Sequence, residues 1–466
     1  MHRTTKKSDA TDFFPAEIVY LRWAVSALGE WIRAWQTPQH ANIKEKKPMK
    51  IARLAFCLNA ALAAGTAFAA DDLFTPSGNR EQFIAPGEML AKVAQDPSNE
   101  RIELVRANAN LISAKTRDLR LSLPGGLSIN ALQSRFETMA SGNEVWIGEL
   151  DAGVAKGLDT QGRQALDANE NTIIAVRSGD TILANIRVNG ALYRLVPVDK
   201  GQHALIEVDQ SKFLPDEDAA AYAEMVRHAP PPRAMDRNWV ESNAKAISTI
   251  RVMVAFGPAA ASAIGNDQQT VDLAFTESNN ALAATNTDIR FQQAGSIQYY
   301  TQSETNNYTT MLSRLTNGSD GFYDAIAGQR NTNTADIVAY VAPASSTLCG
   351  QAAGIATSNA SAYYVMSPSC MTGNYTFVHE AGHVIGTRHD NDPTTTPYAY
   401  GHGYVITSVS RRTVMAVNNG PCPSCTRIGA FSSPNYTISG VAIGTANFND
   451  NTRVLRTRGP TVAAFR

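Results

Sequence analysis

A chain of 466 residues, 44% hydrophobic and 18% charged, has the composition of an ordinary globular protein with room for two or three domains. Its formal net charge of -1 gives no electrostatic case for nucleic acid or an anionic membrane as partner.

Residues 1–48 carry scattered charges and one amphipathic stretch, Ile18 to Trp35, ahead of a second start-like methionine at Met49. They read as a doubtful extension, with Met49 the expected start. From Met49, Lys50 and Arg53 precede an apolar run that closes on Ala67-Phe68-Ala69. That order predicts a secretory signal peptide over 49–70, cut after Ala69 or Ala70. The apolar run is shorter than the roughly 20 residues a spanning helix needs. The expectation is therefore a secreted protein that passes through the periplasm, with no stable membrane anchor.

Cys57 leaves with that segment, and Cys349, Cys370, Cys422 and Cys425 remain. An even number in an exported chain points to disulfides. Cys349–Cys370 brackets an expected hairpin, and Cys422–Cys425 is already close in sequence. A zinc site built from these four would need more than one Cys-x-x-Cys to be argued.

Residues 71–246 open with a helix-compatible stretch, Pro97 to Leu119, then turn to strands at Glu144–Glu149, Asn171–Val176, Thr181–Val188 and Leu192–Val198. Ser178-Gly179-Asp180 and Asn189-Gly190 are hairpin signals between them. This strand-rich α+β unit shows no nucleophile–base pair, metal cluster or phosphate loop, and reads as a propeptide that inhibits or helps to fold the rest. A linker follows at about 215–246. Its Pro230-Pro231-Pro232-Arg233 is a place for proteolytic maturation.

Residues 247–466 begin with an apolar strand, Ile247 to Phe256, then a helical stretch from Pro258 to Ala284 and a strand from Asp288 to Tyr300. A second helix is expected at Tyr308–Thr316, and strands at Asp336–Val341, Gly354–Ala356 and Ala362–Met366. Strands alternating with helices predict a mixed, mostly parallel sheet flanked by helices.

Within it lies Thr376-Phe-Val-His379-Glu380-Ala-Gly-His383-Val-Ile-Gly386-Thr-Arg-His389-Asp390. Positions four apart share one helix face, so His379 and His383 can reach a single zinc ion. His389 is too far along a continuous helix to join them. Gly386 can take positive φ, end the helix and turn the chain back so that His389 becomes the third ligand. Glu380, beside a ligand but not on the same face, is placed as general base toward a zinc-activated water. Asp390 would buttress the turn. His402 in Gly401-His-Gly403 reads as a turn histidine, and His203 and His228 as surface residues.

The His379–Asp390 pattern resembles the extended zinc signature of the metzincins, and its aspartate resembles the reprolysin branch. That resemblance implies a metzincin-like catalytic domain over 247–466, an endopeptidase activity on protein or peptide substrates, one catalytic zinc, and a methionine turn with Met415 in Thr413-Val414-Met415-Ala416-Val417. Calcium would be a further ion, which no motif here demonstrates. A closer likeness is to bacterial peptidyl-Asp metalloendopeptidases, in the Thr387-Arg388 insertion, the cysteines after the methionine turn, Phe431–Asn435 and the C-terminal stretch to Arg466. It implies cleavage on the amino side of Asp or Glu, hence an arginine in the pocket beyond the scissile bond. Arg427 is the first choice, with Arg388, Arg411 and Arg412 as alternatives. The expected edge strand for substrate is Gly354 to Thr357, including Ile355 and Ala356. Residues 71–348 hold no cysteine, so another group must silence the zinc if the propeptide does so. Two other readings are an inactive protease fold that binds a partner, and a zinc amidohydrolase with a non-peptide substrate.

Overall fold

The computed structural model describes residues 70–77, 89–154, 156–199, 201–231, 246–345, 347–418 and 420–466. The extension 1–48, the expected signal peptide up to Ala69 and linker residues 232–245 lie outside them.

Strands β1 Asp71–Asp72, β2 Phe74–Pro76, β3 Asn99–Ala107, β4 Asp118–Leu123, β5 Leu127–Thr138 and β6 Glu144–Leu150 come first. The two-residue β7 Gln164–Ala165 is followed by β8 Thr172–Ser178, β9 Thr181–Val188, β10 Ala191–Asp199 and β11 Gln202–Val208. All but β7 form one ten-stranded sheet, in the order β1-β4-β5-β6-β8-β9-β10-β11-β3-β2. Asn189 and Gly190, at φ 49° and 86°, make the tight turn between β9 and β10. Leu121, Ala131, Trp146, Ile173, Ile186 and Leu195 fill one face of this sheet. The helix expected from Pro97 to Leu119 does not form. Its first part is β3, paired on both sides with β11 and β2, and two ladders outweigh a modest helix propensity. A short helix, α1 Met89–Gln95, lies just before it.

The stretch expected to be a connector starts instead as ordered structure. Asp216 and Glu217 are buried, and Asp218 caps helix α2 Ala219–Arg227 by accepting the Ala220 and Ala221 amides at 3.0 and 2.9 Å.

The second layer is β12 Ser248–Phe256, α3 Pro258–Ile264, α4 Asp267–Ala284, β13 Ile289–Gln293, β14 Gln298–Tyr299, α5 Tyr308–Thr316, α6 Ile326–Thr332, β15 Ile337–Val341, β16 Gly350–Ala352, β17 Tyr363–Met366 and α7 Thr376–Ile385. Its sheet runs β13-β12-β15-β17-β16, with β14 also on β12. Every pairing is parallel except that of the edge strand β16 with β17. The central strands are continuous apolar runs because helices cover both faces, as in β15, where all five residues are buried. Gly265, at φ 74°, splits the expected Pro258–Ala284 helix into α3 and α4, and Gly295, at φ 69°, splits the next strand. The remaining elements are β18 Val405–Ile406, β19 Arg411–Arg412, β20 Thr426–Arg427, β21 Ser433–Ile438, β22 Val441–Ile443 and α8 Asn451–Val462. Cys349–Cys370 and Cys422–Cys425 are disulfides, as expected. Among the described residues no helix is long and apolar enough to cross a membrane.

Helix α4 lies between the two sheets. Leu273 packs into Val145, Ile147, Ile174, Val176 and Leu183 of the first, while Val271, Ala274 and Phe275 belong to the core of the second. Much of its buried surface toward the first sheet is polar and satisfied. Asn185 donates to Glu277 at 2.7 Å, Asn143 to Asp272 at 2.7 Å, and Gln269 to the Val176 carbonyl at 2.6 Å.

Candidate metal centre and substrate cleft

Helix α7 buries Phe377, Val378, Ala381, Val384 and Ile385 in the core, which leaves His379 and His383 on the side facing the cleft. Gly386, at φ 134°, ends it, with the Gly386 and Thr387 amides both donating to the Gly382 carbonyl at 2.8 and 2.9 Å. Arg388 then bridges to the loop at His402, and the chain returns with His389 beside the other two histidines. The three Nε2 atoms lie 3.1–3.2 Å from one another. A triangle of that size suits one ion at the ~2.0–2.1 Å of a zinc–imidazole bond.

The hydrogen bonds around the rings suit a cation there. His379 Nδ1 is 2.9 Å from the Val414 carbonyl, and His383 Nδ1 is 2.9 Å from the Thr387 carbonyl. Those carbonyls take the ring N–H, so both Nε2 atoms present lone pairs to the cluster. A fourth group shares it. Glu217 Oε1 is 2.8 Å from His383 Nε2, and Glu217 Oε2 is 2.6 Å from His389 Nε2. All four carboxylate oxygens of Glu217 and Glu380 are buried without a donor in hydrogen-bonding geometry. Lone pairs and carboxylates converging in a dry site fit a divalent ion and little else. Burial, with the negative charges of Glu217 and Asp216, pushes the Glu380 carboxyl well above its usual range.

Met415 is fully buried under the helix; a Cβ built on Gly382 would stand 2.8 Å from its sulfur. Asp390 ties this turn to His389 by accepting the Val417 amide at 2.9 Å. Next to the turn, Arg427 donates to the carbonyls of Asn374 at 2.8 Å and Ala416 at 3.0 Å, and Arg412 donates to those of Cys425 at 3.1 Å and Ala416 at 2.5 Å. The Asp216 carboxylate sits between them, paired with Arg427 and 3.7 Å from Arg412. Burial would raise this carboxyl, yet Arg427, His379 and Arg412 hold it below the usual range. Arg412 itself is drawn down to about 9, first by burial and then by the neighbouring Arg427.

Of the residues expected in the carboxylate pocket, Arg427 is therefore at this site and Arg412 beside it. Arg388 is not: its guanidinium is taken by Asp392, Thr394 and the Thr396 carbonyl. Arg411 pairs at 2.5 Å with Glu170 of the first half. Gly354, Ile355 and Ala356 are not an edge strand. The Ala356 and Thr357 amides cap α7 by donating to the His383 and Val384 carbonyls at 2.9 and 3.0 Å, which takes up the groups a substrate would need. The free edge is β16, a few residues earlier. There the Cys349 and Gly350 amides donate to the Pro215 and Asp216 carbonyls at 2.8 and 2.9 Å. Glu380 lies against this edge, so a Cβ on Gly350 would meet the Glu380 Cδ at 2.8 Å.

His402 is engaged by the Phe448 and Thr394 carbonyls, outside the cluster, and His228 is exposed. His203, expected at the surface, is fully buried in the first sheet. Sequence reasoning missed Glu217, Asp216 and Tyr222. Tyr222 stacks on His389 at 4.0 Å, accepts the His389 amide at 3.1 Å and donates to Asp392 at 3.0 Å. The available signal was the run Asp216-Glu217-Asp218 directly after apolar Phe213-Leu214-Pro215, in a half with no cysteine.

Residues 268–390 match the family model described as metallo-peptidase family M12B, reprolysin-like. A peptidyl-Asp metalloendopeptidase from Xanthomonas campestris is 37% identical over 81% of this chain and 88% of its own length. One from Stenotrophomonas maltophilia K279a is 35% identical over 87% of this chain and 96% of its own. Among solved structures, metalloproteinase-II from Bacteroides fragilis aligns with 59% of this chain and 82% of its own at 13% identity, with a TM-score of 0.34. The chain belongs to the peptidyl-Asp metalloendopeptidase family and is a zinc metalloendopeptidase of the reprolysin-like class.

Proposed function

We propose that the chain is a secreted precursor whose 247–466 part, freed from a 71–246 propeptide, cuts peptide bonds on the amino side of Asp or Glu. The observation that carries this reading is the carboxylate of Asp216 held by Arg427 and Arg412 beside the three histidines. Two buried guanidiniums sharing one carbonyl acceptor repel each other unless an anion stands between them. Once Asp216 leaves, a substrate carboxylate restores the balance, and arginine's planar fork selects that shape. The names of the relatives point the same way. Export accords with the signal-like segment at 49–70 and with two disulfides.

His379, His383 and His389 would hold zinc, which when bound supplies Lewis acidity for the scissile carbonyl and the attacking water. Glu380, in a dry pocket against the β16 edge, takes the proton from that water and passes it to the departing amine. The edge amides of β16 orient the extended substrate by β-augmentation. Met415 packs beneath the histidine-bearing helix and fixes its height. The polar face of α4 suits this scheme, because a surface that must face water after the propeptide departs cannot be wholly apolar.

The test is to express 49–466, collect the matured enzyme and map its cuts in a proteome-derived peptide mixture. Cuts before Asp or Glu are expected, abolished by a zinc chelator and by Glu380→Ala. Arg427→Met should lower kcat/KM on Asp peptides about 30-fold or more, the scale of about 2–5 kcal/mol for breaking a buried charge pair. Chelator-sensitive cuts with no acidic preference would sink the pocket assignment.

A further inference from the structure

We propose that Asp216 and Glu217 form a two-carboxylate latch that keeps the precursor inactive, Glu217 taking the metal's open position and Asp216 filling the arginine pocket. This rests on the preceding reading of the metal and pocket residues.

Four observations carry it. Glu217 presents both oxygens to the histidine cluster, at 2.8 Å from His383 Nε2 and 2.6 Å from His389 Nε2, and its side chain is buried. With zinc bound, these four residues would fill the positions a structural zinc site takes from protein, which would leave none for the water that hydrolysis needs. One residue earlier, Asp216 occupies the carboxylate pocket. Asp216 and its neighbour Pro215 also hold the edge of β16, since their carbonyls take the Gly350 and Cys349 amides. Helix α2, capped by Asp218, then fixes the segment through Tyr222 on His389 and through Met225, which is buried in the core of the second layer. One short stretch thus covers metal, specificity pocket and substrate edge together.

The arrangement also explains why the segment is not itself a substrate. A side-chain carboxylate, not a peptide carbonyl, faces the imidazoles. The Pro215–Asp216 bond has the preferred residue on its carboxyl-terminal side, but its carbonyl accepts from the Cys349 amide. The latch supplies the group that the missing cysteine of residues 71–348 leaves wanting.

The test uses the full precursor, loaded with zinc or with cobalt, as wild type and as Glu217→Ala, Glu217→Gln and Asp216→Asn. Cobalt absorption in the visible range reports the ligand set, and transfer of zinc to a chromophoric chelator reports access to it. The wild-type precursor should give a cobalt spectrum distinct from that of the matured enzyme. Glu217→Ala should shift the spectrum toward the matured form and speed zinc transfer at least 10-fold. Asp216→Asn should leave the spectrum in place but weaken the segment's hold, giving an intermediate transfer rate. Should Glu217→Ala fail to fold, Glu217→Gln keeps the volume and is expected to move both readouts in the same direction. A precursor whose spectrum and transfer rate are the same with and without the Glu217 carboxylate would overturn the latch. A matured enzyme that does not cut before Asp or Glu would instead count against the functional reading, and the cobalt spectra would still decide on Glu217.

Discussion

Gly350 shows how closely the chemistry and the substrate edge are packed. Its amide belongs to the edge strand, and any Cβ there would stand 2.8 Å from the Glu380 Cδ in a fully buried site. At that distance the two cannot coexist unmoved, so Gly350→Ala must shift either the carboxylate or the edge. The matured variant should bind zinc in full but lose about 100-fold in kcat/KM, the usual result of displacing a catalytic group by about 1 Å. Unaltered kcat/KM at full zinc content would show that Glu380 is not confined by the edge. Gly386 does a different job. At φ 134° it accepts a conformation that an L side chain enters only at about 1–3 kcal/mol, and it sets where His389 returns. Gly386→Ala should therefore reduce zinc occupancy under competition with a chelator, whereas Gly350→Ala should not.

At the level of elements, α4 and the loop before α7 are among the parts that join the first sheet to the second layer, and Arg187 is one of the first-sheet side chains that reach that loop. Arg187 of β9 donates to the Gly373 carbonyl, and its guanidinium lies 4.5 Å from the centre of the Tyr375 ring. Arg187→Ala removes a buried charged hydrogen bond and a cation–π contact, together about 2–3 kcal/mol. The denaturant midpoint of the precursor should fall, while kcat/KM of the matured enzyme should stay the same, because Arg187 departs with the first sheet. A change in the matured enzyme's kcat/KM would show that the two halves do not separate as proposed. The elements were unevenly legible in the sequence. Tyr308–Thr316 and Thr181–Val188 matched residue for residue, since periodicity and turn chemistry are local. The histidine helix was legible because its spacing has a single geometric use, and Gly386 because the third histidine demanded a turn. β3 was not, since its strand form comes from β11 and β2. Glu217 was not, because nothing local separates a buried carboxylate from a solvated one 162 residues before His379; the fold alone brings them together.

Across the whole molecule, several buried groups tie the precursor's stability to pH, and His203 is the one in the core of the first sheet. His203 is fully buried in β11, and its Nε2 accepts the Ile182 amide at 3.0 Å across the sheet interior. Burial pulls its pKa down to about 4 from 6.5, against a weaker upward pull from the Gly201 carbonyl. The folded chain therefore keeps this ring neutral, while the unfolded chain protonates it below about 6.5. In that window the unfolded state binds more protons, so stability rises with pH and falls on acidification. From pH 6.5 to pH 4 the loss approaches about 1.4 kcal/mol per pH unit, about 3 kcal/mol in all. Below pH 4 both states carry the proton and His203 contributes no further slope. Denaturant midpoints of the precursor measured from pH 7.5 to pH 4 should fall along this curve. His203→Gln, which keeps a hydrogen-bond acceptor and cannot titrate, should make it shallower while lowering the midpoint at neutral pH. A wild-type curve as flat as that of His203→Gln would mean that the buried imidazole is not what the fold must keep neutral.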